Sequence, residues 1–104
     1  MTRLPLDEVI HLFVLSHEPL LDPEKAAGMC GETSYEFARW LDSHGYPWAQ
    51  TIVGQKDGQS HMAIEYNLHV YDFTLRQFEP DADVPTVTPV RTWQREWQRE
   101  WQGE

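Results

Sequence analysis

The chain has 104 residues and a formal net charge of −9, from 17 Asp and Glu against 8 Lys and Arg. That length makes one domain with one modest core, and that charge excludes a phosphate-binding surface for nucleic acid and disfavours an anionic membrane face. No apolar run reaches the roughly 18 residues of a membrane span, no signal-peptide pattern opens the chain, and the single Cys excludes an internal disulfide and a multi-Cys zinc site, so a cytoplasmic protein with no cofactor is expected.

Residues 4–16 (LPLDEVIHLFVLS) predict a first helix. Pro5 suits its first turn, Asp7 and Glu8 suit its positive end, and Leu6, Val9, Ile10, Phe13 and Val14 recur at helical spacing. Residues 17–29 contain Pro19, Pro23 and Gly28 and are expected to be a connecting loop. Residues 30–44 predict a second helix with Phe37, Trp40 and Leu41 as its apolar stripe and Gly45 just past its end. Stepping back from Phe37 by helical increments reaches Thr33 or Ser34 and then Cys30, which places Cys30 on the inward face of the first turn.

From there the period becomes two. Residues 48–53 (WAQTIV), 61–66 (HMAIEY) and 69–75 (HVYDFTL) predict three antiparallel strands, joined by an Asp57-Gly58 turn and by Asn67-Leu68. Residues 79–91 are acidic and proline-rich and are expected to meander over the surface. This order is α+β with local connections: N-terminal helix, Cys-bearing helix, about three strands, and a C-terminal helix.

The chain closes on WQREWQREWQGE, which puts Trp93, Trp97 and Trp101 at i, i+4 and i+8. A helix would gather them into one drifting stripe. The expected division is a domain over 1–91 and a repeat over 92–104. Its stripe either docks on the body, serves as a handle for a protein partner or self-association, or ends a frayed tail. Arg91, Arg95 and Arg99 cancel Glu96, Glu100 and Glu104, so the −9 belongs wholly to residues 1–90.

One constellation carries chemistry. A nucleophilic thiol must be a thiolate, which needs positive surroundings. A helix N-terminus offers partial positive charge and free N–H groups, and Cys30 is expected there. The thiol also needs a base, and the base an orienting group. With Asn67-Leu68 as a two-residue turn, Tyr66 opposes His69 and Ala63 opposes Asp72. His61 and Asp72 then share a face one diagonal step apart, provided the register holds. Asp72 lies between Tyr71 and Phe73, where a carboxylate requires a partner. Set against this reading, a lone Cys is commonly a small buried hydrophobe, and a lone His on a strand is commonly structural. Among other residues, Arg76 and Gln77 either shape a cleft or begin an exit loop. His11, His17 and His44 are expected at the surface. His69 falls on the strand face opposite Asp72, which argues against a His61–His69–Asp72 metal site.

Residues 28–34 (GMCGETS), 60–66 (SHMAIEY) and 69–74 (HVYDFT) resemble the papain-like superfamily, especially its compact transglutaminase-like and NlpC/P60-like branches. The resemblance covers roughly residues 25–78. It implies a helix opening with a catalytic Cys, packed on an antiparallel sheet whose successive strands supply His and then Asp. By resemblance, Cys30 is the nucleophile, His61 the general base and Asp72 the orienting group. The implied activity is acyl transfer from an amide of a peptide or protein substrate: a peptidase or amidase, or a transglutaminase-like transferase. Where papain follows its Cys with Trp, this chain has Gly31. Residues 23–27 hold none of papain's upstream Gln. The oxyanion hole then rests on the Cys30 backbone N–H and a second donor that the motif does not identify. The alternative is a binding or inhibitory protein that keeps the fold and acts through its acidic body and Trp-rich tail.

Overall fold

The computed structural model describes residues 3–97. Helix α1 (Leu6–Leu15) is followed by a 3-10 turn (Glu18–Leu21), a short helix α2 (Pro23–Ala26) and the long helix α3 (Cys30–Ser43). Four strands follow: β1 (Gln50–Lys56), β2 (Gln59–Tyr66), β3 (His69–Asp72) and β4 (Thr86–Pro89), and helix α4 (Val90–Trp97) closes the described chain. The strands form an antiparallel sheet in the order β1-β2-β3-β4, so each pairs with its neighbour in sequence.

Local chemistry sets the ends of these elements. Asp7 and Glu8 occupy the first turn of α1, where carboxylates complement the helix dipole. Helix α3 ends in paired bonds from Gly45 N–H to the Asp42 carbonyl and from Tyr46 N–H to the Leu41 carbonyl. Gly45 takes φ +88° there, a conformation that glycine adopts without strain. The β1–β2 and β2–β3 turns carry positive φ at Asp57 and Gly58, and at Asn67 and Leu68, as two-residue hairpin loops demand.

The sheet is covered on both faces. Ile64, Tyr71 and Phe73 join Val9, Phe13, Phe37 and Leu41 of α1 and α3 in one core. Ile52, Ala63 and Val70 project to the other face and pack against Trp93 and Trp97 of α4. The fit there is close: a Cβ on Gly54 would lie 2.5 Å from the Trp97 carbonyl oxygen and 2.8 Å from the Trp93 ring. Only a glycine lets that backbone approach.

Three expectations change. The sheet has four strands, because residues 86–89 of the proline-rich segment pair with β3 as an edge. Residues 17–29 hold two short helical turns. The C-terminal helix begins at Val90 and belongs to the domain, so a boundary at 91 would cut it. Of the alternatives for the Trp stripe, docking on the body holds for Trp93 and Trp97, which are 2 % and 4 % exposed; Trp101 lies outside the described residues. No helix among the described residues is long and apolar enough to cross a membrane.

Candidate active site

The register places His61 and Asp72 together as the strand arithmetic predicts. Tyr66 pairs with His69 and Ile64 with Tyr71, which continues to Ala63 opposite Asp72 and leaves His61 one step along the same face. Both side chains are buried, His61 at 1 % and Asp72 at 2 % exposure. His61 Nε2–H donates to Asp72 Oδ2 at 2.7 Å. The other carboxylate oxygen, Oδ1, accepts the Thr74 backbone N–H at 3.1 Å. Asp72 is thus anchored by its own chain and fixes the imidazole, as an orienting group must. The imidazole is also walled by aromatic rings. Trp97 lies tilted over it with centroids 4.8 Å apart, and Phe78 meets it edge-on at 5.2 Å.

Cys30 opens α3 and is half-buried and free. Its thiol is held below its ordinary pKa, chiefly by the His61 side chain. The backbone N–H groups of Met62 and Gly31 add to this, while burial opposes it. Burial alone would strip the proton from His61, but the hydrogen bond to Asp72 and the approach of Cys30 together outweigh it and hold the imidazole up at about 9. The two shifts have one physical content: each group favours the charged form of the other, which lowers the thiol and raises the imidazole. With Nε2 committed to Asp72, Nδ1 is the nitrogen left for the thiol. It is buried and makes no aligned hydrogen bond, yet it approaches the thiol closely enough to be the largest influence on it.

The three residues singled out in the sequence therefore meet: Cys30 from the start of α3, His61 from β2 and Asp72 from the end of β3. His69 does not join them. It is exposed on the other strand face, its Nδ1 bonded to the Asn67 carbonyl. Among the described residues no cluster of His, Cys, Asp or Glu is arranged to hold a metal ion. His11 is exposed. His17 is stacked on Phe13 and bonded to Glu36, so it is structural and partly buried. Arg76 clamps the chain, its Nε on the Ala82 carbonyl and its Nη1 on the Leu21 carbonyl, so it is not a cleft residue.

Sequence reasoning missed the aromatic walls and the Met62 backbone donor at Cys30. A glycine inside a strand often marks close approach of another backbone, so Gly54 is the signal that would have located α4. Comparison of the chain with family models, curated proteins and solved structures finds no match.

Proposed function

We propose that this protein is a small cysteine-dependent acyl-transfer enzyme with a papain-like core, in which Cys30, His61 and Asp72 act as a triad on an amide bond. The observation that carries the reading is the convergence of Cys30, at the start of α3, on a buried His61 that is fixed on a buried Asp72 at 2.7 Å. A structural Cys in an apolar site would have its pKa raised by burial; here the surroundings lower it.

In the proposed reaction the Cys30 thiolate adds to the amide carbonyl carbon, and the carbonyl π electrons move to oxygen. The tetrahedral oxyanion is stabilised by the free Cys30 N–H at the start of α3. As it collapses, the C–N bond breaks and the leaving nitrogen takes the proton of His61, giving a free amine and a Cys30 thioester. Neutral His61 then accepts a proton from water or a second amine, which attacks the thioester and releases Cys30. Water makes the protein a peptidase or amidase, and an amine makes it a transferase. Cys30 must remain reduced, which suits a reducing compartment.

The rings of Phe78 and Trp97 that wall His61 also border a cleft of about 220 Å³, lined further by Lys56, Asp57, Gln59 and Glu79. The inhibitory-protein alternative loses its proposed aromatic handle at Trp93 and Trp97, which are buried.

The test is turnover of a peptide or activated-ester library by the wild type and by Cys30→Ala. Activity that disappears in Cys30→Ala, and on treatment with iodoacetamide, is expected. Activity that survives either would overturn the proposal.

A further inference from the structure

The cleft that borders the His61 rings is unevenly charged. Lys56, Asp57, Gln59 and Glu79 line it together with Phe78 and Trp97. The first four are exposed and Phe78 is half-buried, so a ligand reaches them from solvent. Phe78 meets the His61 ring edge-on and Trp97 lies tilted over it. One aromatic ring therefore separates the cleft from the base of the site.

Lys56 shows what these rings attract. Its Nζ lies 5.5 Å from the centre of the Trp97 ring, within the reach of a cation on an aromatic face. That ammonium makes no hydrogen bond or ion pair among the described residues, although two carboxylates line the same cleft. The carboxylates of Asp57 and Glu79 are likewise without a partner among the described residues. The cleft thus combines an aromatic face taken by an internal ammonium with two acids that no cation neutralises. On the other side of Lys56 and Asp57, Arg95 and Glu96 line a second depression, where their charges offset each other.

We infer that this cleft is a subsite for a cationic side chain of the substrate, a guanidinium or an ammonium, which displaces Lys56 from the Trp97 face and lies between Asp57 and Glu79. This rests on the acyl-transfer reading above. Exposed ion pairs are weak, so the rings give the position and the carboxylates select the sign of the charge. An anionic side chain would meet Lys56 with both carboxylates beside it. An uncharged one would leave Lys56 in place. Lys56 can yield because its stem is long and flexible. The net charge of −9 draws cations toward the whole body, and the cleft is where one of them is held.

Two readouts separate the cleft from the chemistry. The first is binding, read from the Trp97 indole N–H resonance of isotope-labelled protein as N-acetyl-arginine amide, N-acetyl-lysine amide or N-acetyl-norleucine amide is added. The two cations are expected to shift the resonance and the neutral probe to leave it. Affinity for the cations is expected to fall on the order of 10-fold in Asp57→Asn/Glu79→Gln and to rise in Lys56→Met. Glu8→Gln/Asp42→Asn changes the net charge equally at the far end of α3, beyond a Debye length, and is expected to keep the wild-type affinity. The second readout is turnover of a positional tetrapeptide amide library. At one position arginine or lysine is expected to exceed norleucine through a lower KM, and Asp57→Asn/Glu79→Gln to remove that preference. Arginine above lysine assigns a guanidinium, and the reverse an ammonium. Cations that leave the Trp97 resonance unmoved, or that bind Asp57→Asn/Glu79→Gln as tightly as wild type, overturn the inference and leave the triad standing. Binding without a cationic preference in turnover overturns the subsite alone. If no peptide is turned over, the acyl-transfer reading fails and the subsite fails with it.

Discussion

At the scale of the residue, the site is a proton shared between two groups, and Asp72 decides the split. Its Oδ2 holds His61 and its Oδ1 is held by the Thr74 backbone. Removing one member of a buried charged pair leaves the other uncompensated, at about 3–5 kcal/mol. Asp72→Ala is therefore expected to lower the urea midpoint by a large part of the total stability of a domain this size, which is typically about 5–15 kcal/mol. An unchanged midpoint would mean that the pair contributes little. The pH dependence follows from the directions of the two shifts. Below the lowered Cys30 value the thiol is protonated and cannot attack. Above about 9, His61 loses the proton that the leaving amine needs. Turnover of an amide should therefore rise to a plateau from the acid side and fall again near pH 9. A rate that climbs steadily through pH 9 would remove His61 from the role of acid. His61 and Asp72 were legible as a pair because a two-residue turn fixes register by counting. The proximity of Cys30 was not, since nothing in strand spacing says where a helix end comes to rest.

At the scale of the element, α4 is the most exacting part of the fold. Trp93 and Trp97 fill the second core only because Gly54 has no side chain. Gly54→Ala would drive a methyl into the α4 backbone, which cannot yield as a flexible side chain can. Overpacking of this kind typically costs about 1–3 kcal/mol. The variant should unfold at lower urea and show a red-shifted Trp emission as α4 lifts; an unchanged midpoint and spectrum would contradict the packing described. The amphipathic stripe of α4 was visible in the sequence, but the face it would meet was not, because strands buried on both sides lack a clear solvent face. Strand β4 was hidden for a different reason. Residues 86–89 are four in number, end in Pro89 and alternate between half-buried and exposed positions. An edge strand of that length is specified by the β3 backbone beside it more than by its own side chains.

At the scale of the whole molecule, a short chain covers both sheet faces and builds a site where their layers meet. Helix α3 brings Cys30 from one layer, and Trp97 of α4 covers His61 from the other. A chain ending at Pro89 would expose Ile52, Ala63 and Val70, and each buried Trp is itself worth about 3–5 kcal/mol against Ala. Such a truncation is expected to abolish cooperative thermal unfolding; retention of a sharp transition would show α4 to be dispensable. The acidity of the body also acts at this scale. A net charge of −9 attracts cationic chains over roughly a Debye length, about 10 Å at 0.1 M salt. Turnover of a basic peptide should weaken with added salt more than that of a neutral one, and equal salt sensitivity would leave charge with no part in substrate capture.

The most direct measurement is the ionisation of Cys30 itself, followed by thiolate absorbance or by the pH dependence of iodoacetamide alkylation, in the wild type and in His61→Ala. The expected wild-type midpoint lies clearly below that of a free thiol, about 8.5, and it should move up when His61 is removed. A Cys30 that titrates as an ordinary thiol, with no response to His61→Ala, would contradict the convergence of Cys30 and His61 on which the functional reading stands.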